Sequence, residues 1–531
     1  MAGLTAPQRR AVESEATALC IVAGAGSGKT RVLTLRVARR IRDGSADADH
    51  TVVCTFTRKA ARELRERLAL YGVPVSSPAT SGGVPGPGVR AGTLHQLALT
   101  LLRRDALDRG RPPQVVVEHR FRLVRDVVGD PGTAAEVDTE ISWAKARCLT
   151  SAGYVEAARE AARTTSSDPD RIAAAFDQYD QALVRRRALD LDDVLVRAGD
   201  LLLDDADFAE RMHWRYRHLS VDEFQDVNPA QFRLIDALLG SRKDLCAVGD
   251  PNQAIYGWNG ADPTLLDRLP DTVAGMEVVR LDENHRSTPQ VVAAATAGLG
   301  HAVSVPPRSL AEDGPMPVVT AFDDETAEAE GVVSLILERS EDGRAWSDQA
   351  VLARTHDQLA LMGRALGRAG IPYRIAPGPE SPATEAARTE DRRGAAVGTG
   401  AAVGPGARDR GEEAQGAGAV ELATFHRAKG LEWTSVYVVG VEDGYVPIVY
   451  AESEAARAEE RRLLYVALTR ASEELHCSWA RSRRMGNGRQ MDRQPSPWLA
   501  AVARVSRTGS GRITRRDAAA RIADMRATLR H

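Results

Sequence analysis

Residues 19–41, LCIVAGAGSGKTRVLTLRVARRI, leave few folds open. An apolar run ends in a loop with glycine at 24, 26 and 28, and a helical pattern follows at once. A strand feeding a helix in this way belongs in a parallel sheet covered by helices. Residues 23–30, AGAGSGKT, are read as the G-x-x-x-x-G-K-[ST] loop, in which glycines let backbone N–H groups wrap phosphates at a helix N-terminus. Gly24, Ala25, Gly26, Ser27 and Gly28 form the cradle. Lys29 is expected to reach the β- and γ-phosphates, and the Thr30 hydroxyl to ligate Mg²⁺. Arg31, next on the helix, is counted with the nucleotide-binding set.

A second feature completes that chemistry. SVDEFQDVN (220–228) ends an apolar run with the adjacent acids Asp222 and Glu223. Negative charge stacked at a strand end needs a cation beside it. Asp222 is expected to hold Mg²⁺, which favours few carboxylates together with waters and phosphate oxygens. Glu223 is then placed to orient and deprotonate a water. Asp226 is expected to cap the helix that begins near NPAQFRLI.

Other apolar runs repeat the strand–helix alternation. LCIVAG (19–24), TVVCTFT (51–57), HLSVDE (218–223), LCAVGD (245–250) and EVVRLDEN (277–284) read as strands. RKAARELRERLAL (58–70) reads as a helix with Ala60, Leu64 and Leu68 on one face. Between 93 and 205 helical periodicity dominates, as in FDQYDQALVRRRAL (176–189). A second series of strands is expected at VVTAF (318–322), QAVLART (349–355), VELATFH (420–426), SVYVVGV (435–441) and ELHCSWA (474–480). Residues 376–419 are almost all Ala, Gly, Pro and charge, with only Val397 and Val403 as larger apolar groups, so they cannot supply a core. The stretch 504–531 holds eight arginines against two aspartates, and its DAAARIADMRATLR could form a helix.

Composition excludes several classes. No run reaches the ~20 apolar residues of a membrane span. The N-terminus lacks the apolar segment of a signal peptide, so a cytoplasmic address is expected. A net charge of −3 excludes a uniformly basic DNA coat while leaving room for a basic groove. Cys20, Cys54, Cys246 and Cys477 lie in apolar runs and are expected to be reduced core thiols. Of 70 basic residues only five are lysine, so Lys29, Lys59 and Lys429, which fall in motifs, carry more weight than lysines usually do.

Taken together, the motifs resemble the UvrD/Rep type of superfamily I DNA helicases. The matching segments, in order, are LTAPQRRAV (4–12), CTFTRKAARELRERL (54–68), GTLHQLA (92–98), VDEFQDVN (221–228), AVGDPNQAIYGWNGAD (247–262), ENHRS (283–287), TFHRAKGLEW (424–433), VEDGYVP (441–447) and RRLLYVALTRA (461–471). The resemblance implies an α/β fold of two RecA-like P-loop domains with a helical insertion in the first. The first would span 1–92 and 206–290, the insertion 93–205, and the second 291–375 and 420–500. A low-complexity linker (376–419) and a basic tail (501–531) complete the chain.

The resemblance also assigns roles. Gln8 corresponds to an adenine-reading glutamine, Gln253 to a γ-phosphate sensor, and Arg286 and Arg470 to two arginine fingers. Planar, permanently charged guanidinium groups suit a triphosphate transition state. Arg470 is expected on a helix with Leu463 and Ala467 toward the core. Glu432 corresponds to a ribose-binding residue and His285 to an adenine-stacking position. Phe56, Thr57, His95, Tyr256, Trp258, Thr424 and His426 are the expected DNA contacts, since aromatic faces stack bases without regard to sequence. ATP and Mg²⁺ are the implied cofactors. Single-stranded DNA and single-/double-strand junctions are the implied partners, with a repair protein as a further one, no membrane, and a monomeric state.

Three departures stand out. His285 replaces the usual tyrosine of NYRS, Asn259 stands where many members carry arginine, and only the 376–419 segment occupies the place of a sizeable accessory subdomain. Two function classes follow: a 3′ to 5′ DNA helicase or translocase in repair or replication, or a nucleotide-gated single-strand binder or displacement factor that unwinds little alone.

Overall fold

The computed structural model describes residues 3–76, 86–117, 119–300, 306–376, 418–484 and 489–509. Nearly all of 376–419 and the expected C-terminal helix lie outside them. The chain forms two compact units and passes from one to the other between Leu281 and Asp282, whereas the sequence reading put that boundary at 290.

The first unit is built on six parallel strands: β1 (Ala18–Ala23), β2 (Thr51–Thr55), β3 (Arg90–Thr93), β6 (His218–Val221), β7 (Leu245–Gly249) and β8 (Glu277–Leu281). Their order across the sheet is β3-β2-β6-β7-β1-β8. Side chains alternate between faces, so Ala18 and Cys20 join one apolar cluster while Leu19, Ile21 and Ala23 join the other. Both faces are covered, which is why these strands read as continuous apolar runs. The helix Arg58–Leu70 has the expected limits, but its buried face is Ala61, Leu64 and Leu68; Ala60 instead gives its N–H to the Thr57 cap.

Two stretches differ from their sequence patterns. EVVRLDEN breaks at Asp282: Glu277–Leu281 pairs with β1, while β9 (Glu283–Asn284) pairs with β10 (Arg308–Ser309) in the second unit. The 176–189 pattern belongs to a longer helix, Pro169–Arg186, and its last residues enter β5 (Ala188–Asp190), paired with β4 (Val115–Val117). Between β3 and β6 the chain is otherwise helical and has its own core, including Ile141, Tyr154, Phe176 and Tyr179.

The second unit carries a larger sheet. β11 (Val318–Asp324), β12 (Gln349–Ala353), β13 (Tyr373–Ile375), β14 (Val420–Thr424), β15 (Trp433–Val438), β16 (Ala471–Arg484) and β18 (Arg507–Gly509) run parallel in the order β13-β14-β12-β15-β16-β11-β18. β17 (Gln490–Asp492) adds an antiparallel edge to β16. Four cysteines are buried thiols, and burial pushes those of Cys20, Cys54 and Cys477 up to about 12. Among the described residues no helix is long and apolar enough to cross a membrane.

Candidate active site

Strand order assembles the first half of the site. β1 lies beside β7, and β7 beside β6, so the loop after β1, the acids after β6 and the turn after β7 share the C-terminal edge of one sheet. In open parallel sheets that edge is where ligands bind. Ala23, the last residue of β1, occupies the opening position of the G-x-x-x-x-G-K-[ST] pattern, which therefore departs from glycine there. Gly26 and Gly28 adopt φ of +69° and +77°, a region that favours glycine. A Cβ on Gly28 would stand 3.2 Å from the Gln8 amide nitrogen. That amide donates to the Ser27 carbonyl at 2.9 Å, so Gln8 is fastened to the loop.

Lys29 opens the helix Lys29–Arg42, and its Nζ lies 3.7 Å from Glu223 Oε2. This buried ammonium has no hydrogen-bond partner among the described residues. The Thr30 hydroxyl donates to Asp222 Oδ2 at 3.1 Å. Burial, then the charge of Glu223, holds the Asp222 carboxyl up at about 6, against the pull of Lys29 and the Thr30 hydrogen bond. Asp226 is not the helix cap: Asn228 directly precedes Pro229 and accepts from the Gln231 N–H. Arg31 is half-buried on the helix behind the loop.

Two residues missed in the sequence join this edge. Gln225 is fully buried and donates to Glu223 Oε2 at 2.5 Å. Asp250 follows β7 just as Asp222 follows β6, a strand-end acid that could have been read from LCAVGD. Burial raises its carboxyl above the usual range, and Lys29 works in the opposite direction. Gln253 donates to Asp250 Oδ2 at 2.7 Å.

The aromatic candidates lie close by in the same unit. Phe56 and Tyr256 stack with centroids 5.3 Å apart, and Trp258 lies 6.4 Å from Tyr256 and is half exposed. Phe56 and His95 line a small cavity whose other walls include Asp222 and Glu223. Burial lowers the His95 pKa, so the ring is neutral at pH 7. Thr57 is exposed and caps a helix.

The second unit gathers the remaining nucleotide candidates. Arg286 Nε donates to Glu432 Oε2 at 2.5 Å, and its Nη1 approaches the Thr469 carbonyl at 3.5 Å. Asn284 Oδ1 accepts from the Arg286 and Ser287 N–H groups, which shapes the turn that carries the arginine. His285 beside it is exposed. Arg470 corrects the sequence reading: the helix Glu454–Leu468 ends before it, and the side chain is only 1% exposed. Its guanidinium donates to the Val466 and Leu431 carbonyls and to the Thr469 hydroxyl. Thr424 is buried at the end of β14, and His426 follows in a turn, its pKa lowered to about 3 by burial, Arg354 and Lys429.

A phosphate loop with two strand-end acids, on one of two α/β units, defines a P-loop nucleoside triphosphatase with two RecA-like domains. The comparisons narrow the class. Residues 4–274 match the UvrD/REP helicase N-terminal domain, and residues 279–378 and 406–482 match the UvrD-like helicase C-terminal domain. The chain belongs to the UvrD/REP helicases.

It is 35% identical over 591 residues to the ATP-dependent DNA helicase UvrD2 of Mycobacterium tuberculosis, covering 96% of this chain and 82% of that one. It is 32% identical over 394 residues to the ATP-dependent DNA helicase PcrA of Leuconostoc citreum, covering 71% and 50%. With DNA helicase II of Escherichia coli it shares 27% over 645 residues, covering 93% and 86%.

Proposed function

We propose that this chain hydrolyses ATP to move 3′ to 5′ along single-stranded DNA, opening duplex at junctions in DNA repair or replication. The observation that carries the reading is the buried Lys29 ammonium, without a hydrogen-bond partner among the described residues and paired at 3.7 Å with Glu223, next to Asp222. A triphosphate is the anion this cradle suits, and Gln8, fastened to the loop, supports adenine recognition.

The donor set fits a divalent cation. Two adjacent carboxylates, one with its pKa raised by burial and by its neighbour, face one ammonium, Lys29, and a divalent ion would balance the remaining negative charge. Thr30 and Asp222 would hold Mg²⁺, which would neutralise charge on the phosphate oxygens. Glu223 takes the proton of the attacking water, and Gln253 senses the γ-phosphate. Arg286 and Arg470 serve as the cationic groups of the second unit, with Glu432 on the ribose and His285 on the base. Release of Arg286 from Glu432 frees both for those roles.

DNA is gripped by Phe56, Thr57, His95, Tyr256 and Trp258 in the first unit and by Thr424 and His426 in the second. ATPase rates with and without single-stranded DNA test the reading. Lys29→Ala and Glu223→Gln should each lower turnover by roughly 100-fold or more. Tyr256→Ala or Trp258→Ala should reduce the DNA-stimulated rate more than the basal rate, since base stacking contributes about 1–3 kcal/mol per base. Equal loss of both rates would reduce the aromatics to packing. A DNA-independent ATPase would remove the motor, and tailed duplexes of opposite polarity test the direction.

A further inference from the structure

We infer that Gln225 is a positioning residue that ties Glu223 to Gln253 through Asp250, so that the γ-phosphate sensor and the hydrolytic carboxylate move as one unit. The inference rests on the roles proposed above for those two residues. Three hydrogen bonds in series make the connection. Gln225 Nε2 donates to Glu223 Oε2 at 2.5 Å, the Asp250 N–H donates to Gln225 Oε1 at 2.9 Å, and Gln253 Nε2 donates to Asp250 Oδ2 at 2.7 Å.

The direction of each bond is fixed by chemistry. An ionised carboxylate only accepts and a backbone N–H only donates, so the Gln225 amide has one orientation that satisfies both ends. Gln225, Asp250 and Gln253 are all buried, at 0%, 1% and 4% exposure, so water does not compete for the links. Space is reserved for the amide as well: a Cβ on Gly249 would stand 2.8 Å from Gln225 Oε1. Glu223 needs such a restraint, because it is a non-glycine residue at φ +55°.

Gln225 touches no reacting atom in this scheme. When Gln253 turns its amide toward a phosphate oxygen, Asp250 loses a donor, and the shift passes through the Asp250 N–H and Gln225 to the Glu223 carboxylate.

The test is steady-state ATP hydrolysis by the full-length protein with single-stranded DNA present, with folding checked by circular dichroism and melting temperature. Gln225→Leu should lower kcat by roughly 10- to 100-fold with little change in KM for ATP, the scale of loss that a misplaced catalytic group produces. Gln225→Glu keeps the shape. While the introduced carboxyl is protonated it can donate to Glu223 as the amide does; burial and the Glu223 charge raise its pKa. This variant should therefore retain turnover at low pH and lose it on an alkaline limb that the parent lacks. Gln225→Leu combined with Gln253→Ala should be no slower than the slower single variant, because both cut one series.

Unchanged kcat, a uniform loss with an unmoved pH profile, or losses that multiply in the double variant would overturn the inference. If the Leu variant fails to fold, the pH profile of the Glu variant decides. Glu223→Gln separates the two levels: turnover surviving that change sinks the role of Glu223 itself. An inactive Glu223→Gln beside normal Gln225 variants sinks only the relay.

Discussion

Asp222 is where stability and chemistry conflict most at a single side chain. Its carboxyl is held near 6 by burial and by the Glu223 charge, against about 3.9 for an unfolded chain. Between those values the folded protein binds more protons than the unfolded one, so stability falls as pH rises through the window and the full cost persists above it. The shift corresponds to about 2–3 kcal/mol at pH 7. Asp222→Asn should therefore raise the denaturant midpoint of the nucleotide-free protein at pH 7.5, while the advantage disappears near pH 4. Equal midpoints at both pH values would show that the acid is not under this strain. At this scale the sequence was legible where a residue type has one suitable chemistry: a lysine in a phosphate loop, an acid pair after an apolar run. Gln225 was not, because a glutamine's partners are chosen by the fold, and β6 had to lie beside β7 before its amide could reach Asp250. Nor was the burial of Arg470, whose donors meet carbonyls from two separate segments.

Among elements, the contact between the helical insertion and the aromatic turn stands out. Lys145 near the end of the helix Pro131–Ala146 is clamped by Asp180, Asp190 and Asp193 at 3.0, 3.0 and 2.8 Å. The next residue, Ala146, faces Gly260, which has φ +87° and no room for a Cβ: one would stand 2.5 Å from the Ala146 methyl. Gly260 closes the turn Gly257–Asn259 that carries Trp258. The insertion thereby sets the posture of the turn that follows Gln253. Gly260→Ala should destabilise the protein by about 1–3 kcal/mol and lower DNA-stimulated ATPase more than basal ATPase. Adding Ala146→Gly should restore part of the DNA response; no restoration would leave backbone strain alone as the cause. None of this shows in the patterns, since a small-residue contact leaves no apolar period. β3 escaped for a related reason, as RAGT has no apolar run and is a strand only because it pairs with β2. The Val-rich strands, by contrast, were legible in place, though not at their ends: EVVRLDEN stops pairing with β1 at Leu281, and ELHCSWA is the middle of the longer Ala471–Arg484.

For the whole molecule, the question is whether hydrolysis and duplex opening come as one activity. The motifs of the UvrD/Rep resemblance are present from Gln8 to Arg470, but between Ile375 and Val420 the sequence is almost all Ala, Gly, Pro and charge, with Val397 and Val403 as its larger apolar residues. The alignment with DNA helicase II runs over 645 positions although 93% of this chain's 531 residues take part, so that relative carries residues this chain lacks. The missing residues cannot include the phosphate loop, the strand-end acids or Gln253, since all of these stand in place. What is reduced is material outside the ATP-handling core. Such a chain should couple ATP hydrolysis to motion along a single strand and yet separate long duplexes poorly by itself. The comparison to make is the rate of DNA-stimulated ATP hydrolysis beside strand displacement on tailed duplexes of increasing length. Turnover should stay constant while displaced strand falls steeply with duplex length, and a partner that traps the opened strand should restore the yield. Efficient, partner-free displacement of the longest duplexes would show that the reduced segment is dispensable for opening DNA, and the displacement-factor alternative would then be abandoned.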